Sequence, residues 1–150
     1  MKWYGWLIVA LGVVAIVLLW PLRAPAQVTS ITLDWTAPGD DGNVGTATSY
    51  EMRWSTTRPD TTGLAAAGPA GTPAVNSWWS SATVVGTMPA PLVAGTTQTK
   101  IVTGTFAPNT YYFLLKACDE VPNCSGYSNL AAKVILDAVP PARILDLIVR

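Results

Sequence analysis

The residues able to do chemistry in this chain are few and fall into three groups. Asp40 and Asp41 follow Pro38-Gly39, and Asp119 and Glu120 follow Cys118. Carboxylates are hard oxygen donors, so such residues suit calcium, which accepts flexible oxygen geometry. Two carboxylates facing each other across a cleft also make a glycosidase acid and base. The plainer reading takes Asp40-Asp41-Gly42 as turn chemistry and Asp119-Glu120 as a solvated loop. Cys118 and Cys124 are six residues apart. That is not the Cys-x-x-Cys spacing of redox pairs, and in an exported chain it reads as a disulfide. Trp78 and Trp79 form the third group, since an aromatic face can stack on a sugar. Adjacent strand positions point to opposite faces, so at most one would be free for that. Burial in the core, or as a lid over it, is the competing reading.

Composition removes several functions. The chain has 150 residues and no histidine, hence neither the commonest general base nor the commonest zinc ligand. With two cysteines and no histidine, a closed zinc site has too few ligands. No cofactor is called for, and the reading is of a non-catalytic protein. Setting aside Lys2 and Arg23 of the first 26 residues leaves seven basic against nine acidic residues. Nucleic acid is therefore not an expected partner, because phosphate recognition needs clustered Lys and Arg.

The first 26 residues read as an export signal. Lys2 precedes an apolar run over residues 3–20, and Ala24-Pro25-Ala26 offers a small-x-small cleavage site before Gln27. Eighteen apolar residues also approach a membrane span of about 20, so an uncleaved anchor is the alternative and would be the only membrane contact. Either way residues 27–150 lie outside the cytoplasm, secreted or at the cell surface.

The elements that must carry these groups read as strands. Residues 30–36 alternate Ile31, Leu33 and Trp35 against polar neighbours, and Tyr50, Met52 and Trp54 do the same. Further strands are expected over residues 82–85, 98–102, 110–117 and 129–136. Residues 59–76, rich in Ala, Gly, Pro and Thr, read as a long loop. Six or seven short strands with frequent turn signals indicate an all-β antiparallel sandwich.

Several stretches resemble a fibronectin type III domain of secreted bacterial proteins. They are Leu33-Asp34-Trp35-Thr36-Ala37-Pro38-Gly39-Asp40-Asp41-Gly42, Ser49-Tyr50-Glu51-Met52-Arg53-Trp54-Ser55, Trp79-Ser80-Ser81-Ala82 and, most clearly, Phe106-Ala107-Pro108-Asn109-Thr110-Tyr111-Tyr112-Phe113. The resemblance covers roughly residues 30–136 and implies an immunoglobulin-like sandwich with Trp35 as its core aromatic, to which alternation adds Leu33 and Tyr50. It implies Tyr112 as the corner tyrosine, its hydroxyl bonded back to nearby backbone. Alternation then puts Tyr112, Leu114 and Lys116 on the inward face, where Lys116 is awkward. It also implies that the loops holding Asp40, Asp41, Asp119 and Glu120 share one pole.

The match fails at both ends. Only Gln27-Val28-Thr29 precedes the second strand of the pattern, which leaves no room for a strand A. Conversely, Pro140-Pro141-Ala142 followed by Ile144-Leu145-Asp146-Leu147-Ile148-Val149 resembles the strand A of a following domain. The expected organisation is a signal over 1–26, a sandwich over 27–137 and this tail over 138–150. One explanation is a piece of a multidomain protein acting as a spacer, adhesion or binding module, with a protein or carbohydrate ligand. Another is a self-assembling surface subunit that donates Ile144 to Val149 to a neighbour. A third is a carbohydrate-binding accessory module of a secreted hydrolase.

Overall fold

The computed structural model describes residues 27–121 and 123–137. The signal segment and the tail with Ile144 and Val149 lie outside the described residues. Among the described residues six strands are formed: β1 (Val28–Thr36), β2 (Ser49–Ser55), β3 (Thr83–Val84), β4 (Thr97–Phe106), β5 (Asn109–Cys118) and β6 (Ala131–Ile135). Between β2 and β3 the chain makes a short helix α1 (Leu64–Ala67), a 3-10 turn (Gly68–Ala70) and the longer helix α2 (Pro73–Ser81).

The strands form two antiparallel sheets, β1-β4 and β3-β2-β5-β6. Their apolar faces meet: Ile31 and Val102 from one sheet pack with Met52, Tyr111, Phe113 and Ile135 from the other. The result is a β-sandwich. Register fixes its two poles. Thr36 pairs with Thr97 and Ser49 with Cys118, which places the β1–β2 and β5–β6 loops at one end. Val28 pairs with Phe106 and Asn109 with Ile135, so β1 starts and β6 stops at the other.

Residues 59–76 are not the structureless loop that their composition suggests, and Trp78 and Trp79 are not on a strand. Thr72 caps α2 by accepting from the Val75 amide at 3.3 Å, and Pro73 occupies the first turn, where its missing N–H costs nothing. Val75, Trp78, Trp79 and Ala82 then recur at helical spacing and bury one face against Leu114. Ser80 and Ser81 hide this pattern by lowering its mean hydropathy. Their hydroxyls bond back to the carbonyls of Asn76 and Trp78 at 2.9 and 3.0 Å.

That helix explains a second correction, the facing of β5. Tyr111, Phe113 and Ala117 are buried between the sheets, whereas Tyr112, Leu114 and Lys116 face α2 on the outside of the sandwich. A strand covered on both faces loses its alternation, so period alone could not tell which set was inward. The corner role accordingly belongs to Tyr111 and not Tyr112. The Tyr111 hydroxyl donates to the Ala107 carbonyl at 3.0 Å. Tyr112 is only half-buried, against the helix cluster. Lys116 is no longer awkward, because its ammonium sits 4.1 Å from the Tyr127 ring centroid on the outer face.

Leu33 and Trp35 point between the sheets but are only partly covered, while Tyr50 is 7% exposed. Trp35 and Tyr50 meet edge to face at 5.2 Å. Among the described residues the buried Tyr50 hydroxyl has no hydrogen-bond partner. Such a group carries its desolvation cost uncompensated, so Tyr50→Phe should hold or raise stability by up to about 1 kcal/mol. The midpoint of urea unfolding checks this; a clear fall would reveal a partner for the hydroxyl.

Candidate functional site

The pole where β1 ends, β2 begins and β5 ends carries two of the three groups singled out for chemistry, the carboxylates and the cysteines. Cys118 and Cys124 are disulfide-bonded and pair as a single antiparallel bridge. The closed loop holds itself in shape through Asp119. One of its oxygens accepts from the Val121 and Asn123 amides at 2.9 and 2.8 Å, and the other from the Asn123 side chain at 3.0 Å. The chain then runs back along β5, where Ser125 and Ser128 replace strand partners. Their hydroxyls accept from the Ala117 and Leu115 amides at 3.1 and 3.0 Å. Their own amides donate to those residues' carbonyls.

The facing β1–β2 loop is equally fixed. The Asp40 amide donates to the Val44 carbonyl at 2.8 Å, and Gly42 adopts a φ of 67°. At Gly39 any Cβ would strike the Val44 backbone, so only glycine allows this close approach. Between the loops lies an open cavity of about 320 Å³, lined among others by Gly39, Asp40, Asp119, Asn123 and the disulfide.

Asp40, Asp41, Asp119 and Glu120 do share this pole, because Asp40 feels the other three. Burial first, and then repulsion from Glu120, Asp41 and Asp119, raises the Asp40 pKa above its ordinary 3.8. Asp119 goes the other way: hydrogen bonds from Asn123 lead in holding it below 3.8. The Asp119 oxygens are thus committed to the loop. Among the described residues no group of three or more His, Cys, Asp or Glu is placed to hold a metal. The calcium reading therefore lacks a ligand cage here.

These two shifts have opposite consequences for pH. A depressed carboxylate supports the folded loop above its unfolded pKa and loses that support as pH falls through its folded value. A raised one is relieved of repulsion on protonation. On acidification Asp40 should therefore titrate first, above 3.8, with no loosening of the loop. The Val121 and Asn123 amides should lose exchange protection only below 3.8, as Asp119 protonates. Carboxyl chemical shifts and amide exchange, followed together by NMR, check the order.

Trp78 and Trp79 stand apart from these groups, on α2. They are 7% and 9% exposed, so neither offers an open aromatic face to a sugar. The Trp78 indole donates to the Thr57 carbonyl at 2.6 Å. Trp79 belongs to a polar-aromatic cluster that inspection of the sequence does not find. The Arg53 guanidinium lies 5.1 Å from its ring centroid and donates to its carbonyl at 2.7 Å. Glu51 pairs with Arg53, and Tyr127 meets Trp79 at 5.1 Å. Burial pushes the Tyr127 phenol up, so it stays protonated and donates to Asn76 at 2.7 Å. This cluster fastens α2 to β2 and β5. It is a structural device.

Comparison of the chain with family models, curated proteins and solved structures returns no match.

Proposed function

We propose that this chain is an exported, non-catalytic module of fibronectin type III type that presents its disulfide-closed pole to a protein partner at the cell surface. The observation that carries this reading is the way the pole is built. A polar loop is closed by a disulfide, held internally by Asp119 and backed on β5 by two serine hydroxyls. Loops fixed on a rigid sandwich are the usual place for recognition, and a preordered loop loses less entropy on binding. The family reading is supported by the two-sheet order and by a corner tyrosine one residue from where the sequence pattern put it. Export is supported by the composition of residues 1–26.

The test is adhesion of intact cells exporting the full chain to immobilised extracellular proteins and polysaccharides, after protease shaving has established its surface exposure. Asp41→Lys with Glu120→Lys, both exposed at the pole, should abolish adhesion, and Lys133→Glu on β6 should not. Adhesion unaffected by the pole pair, or a chain that shaving never reaches, overturns the reading. Retention on polysaccharide alone would support the accessory-module alternative instead.

A further inference from the structure

Among the described residues, the two-stranded sheet has one flank closed and one open. On the β4 flank, the side chain of Gln98 bonds to both Ala90 and Leu92, and Lys100 donates to the Thr87 carbonyl at 2.6 Å. These contacts draw residues 87–92 over that edge. On the other flank, among the described residues, β1 is hydrogen-bonded to β4 alone. Beside it lie two adjoining cavities of about 80 and 390 Å³ that share Asp34, Trp35, Leu115, Ser128 and Asn129. The larger far exceeds the roughly 30 Å³ that a water molecule occupies. The groove explains why Leu33, Trp35 and Leu115 point inward and are still only partly covered. Among the described residues it is a groove that one further strand would fill.

We infer that this groove receives residues 144–149 of a second copy of the chain, laid antiparallel along β1, so that copies join head to tail. Thirteen residues follow Asp137, the last one described. Within them Leu145, Leu147 and Val149 alternate with Ile144, Asp146 and Ile148, which gives an extended segment one wholly apolar face. That face fits a groove floored by Leu33 and Leu115. Pairing Ile144 with Asp34 and Ile148 with Ser30 sets Leu145 over Leu33 and keeps Asp146 away from Asp34. It also brings Arg143 in at the pole that holds Asp40, Asp41, Asp119 and Glu120. The charges match.

Direction selects a second copy over the chain's own tail. β6 ends opposite Asn109, at the pole where β1 begins. A tail folding back from there would run parallel to β1, whereas every strand pair described is antiparallel, the more stable arrangement. To run antiparallel it would first have to climb the nine-residue length of β1, about 30 Å. Residues 138–143 span about 20 Å even when fully extended. A neighbour's tail meets no such limit. A head-to-tail contact that does not close propagates into filaments, and covering β1 removes an exposed edge.

The test uses two differently tagged copies of the full chain, coexpressed in an exporting bacterial host, each with a single new cysteine. One copy carries Ile144→Cys and the other Asp34→Cys, or Ile148→Cys with Ser30→Cys; Asp34 and Ser30 are exposed. Both pairs should cross-link between tags at least roughly tenfold above Ile144→Cys with Lys133→Cys on β6, since a one-faced strand has a single register. Adding Leu145→Asp and Leu147→Asp should abolish the links and the higher oligomers seen by light scattering. Links in the reversed order (Ile144 to Ser30, Ile148 to Asp34), or links no stronger than the Lys133 control, overturn the inference. So do links that form only when both cysteines sit in one copy, which would show the chain's own tail in the groove.

Discussion

Trp79→Ala should destabilise the protein by about 3–5 kcal/mol, the range for removing a buried aromatic from a well-packed cluster. Trp79 is 9% exposed and joins α2 to both Arg53 on β2 and Tyr127 beyond β5. Its ring meets Tyr127 edge to face at 5.1 Å and receives the Arg53 guanidinium at 5.1 Å. Nine residues form a helix too short to persist alone in water. Loosening this face should therefore release α2 as a unit and uncover Leu114, now 1% exposed. Urea unfolding followed by far-UV circular dichroism should show a lower midpoint together with lost helical signal. Arg53→Met, which keeps the aliphatic stem and removes the charge, should cost less, about 2 kcal/mol, because it loses the ring contact and the bond to the Trp79 carbonyl while the packing of Trp79 stays. If Trp79→Ala left the midpoint within about 1 kcal/mol of the parent, the helix would not depend on this contact.

The contrast between α2 and the strands shows what the sequence can and cannot reveal. β1 and β2 each have one face on the core and one toward solvent or a lighter layer. Ile31, Leu33 and Trp35, and likewise Tyr50 and Met52, therefore stand out by alternation. β5 is covered on both sides, and Tyr111-Tyr112-Phe113-Leu114-Leu115 is apolar throughout, so its facing depends on what lies above it. That layer was the segment whose signal was weakest. Val75, Trp78, Trp79 and Ala82 keep helical spacing, and Thr72-Pro73 is a sound start signal. Read as a strand pair, the two tryptophans had to diverge; on a helix, positions three and four after Val75 share a face. The helix that composition hides is thus also what hides the facing of β5. The loop pole was more legible, because Asp, Gly, Pro and cysteine act locally. The disulfide and the turn at Gly42 need no tertiary partner to be foreseen. The shared pole of the acidic residues is legible too, but the commitment of Asp119 to Asn123 depends on loop geometry that spacing does not fix.

Tyr111→Ala should cost about 3–5 kcal/mol, as a buried aromatic in the sandwich itself, and Tyr111→Phe about 1 kcal/mol for the lost hydroxyl bond. Tyr111 is 5% exposed and touches Phe106 at 5.1 Å and Trp54 at 5.4 Å, so its ring closes the core at the pole opposite the disulfide. Its hydroxyl ties β5 to the Ala107 carbonyl and so fixes the turn from β4, the step that aligns the two sheets. The neighbouring residue is the control. Tyr112 packs only partly, against the helix cluster, so Tyr112→Phe should leave stability within about 0.5 kcal/mol of the parent. The four-way comparison of Ala and Phe at both positions, by urea unfolding, separates the two facings of β5. Equal losses at 111 and 112 would mean that the strand is not fixed in this register. A loss on Tyr112→Phe larger than on Tyr111→Phe would return the corner to Tyr112 and invert the strand. In that case Lys116 would point into the core and Leu114 would leave the helix. Neither is compatible with a Lys116 ammonium lying over Tyr127 or with a Leu114 sealed beneath Val75 and Trp78.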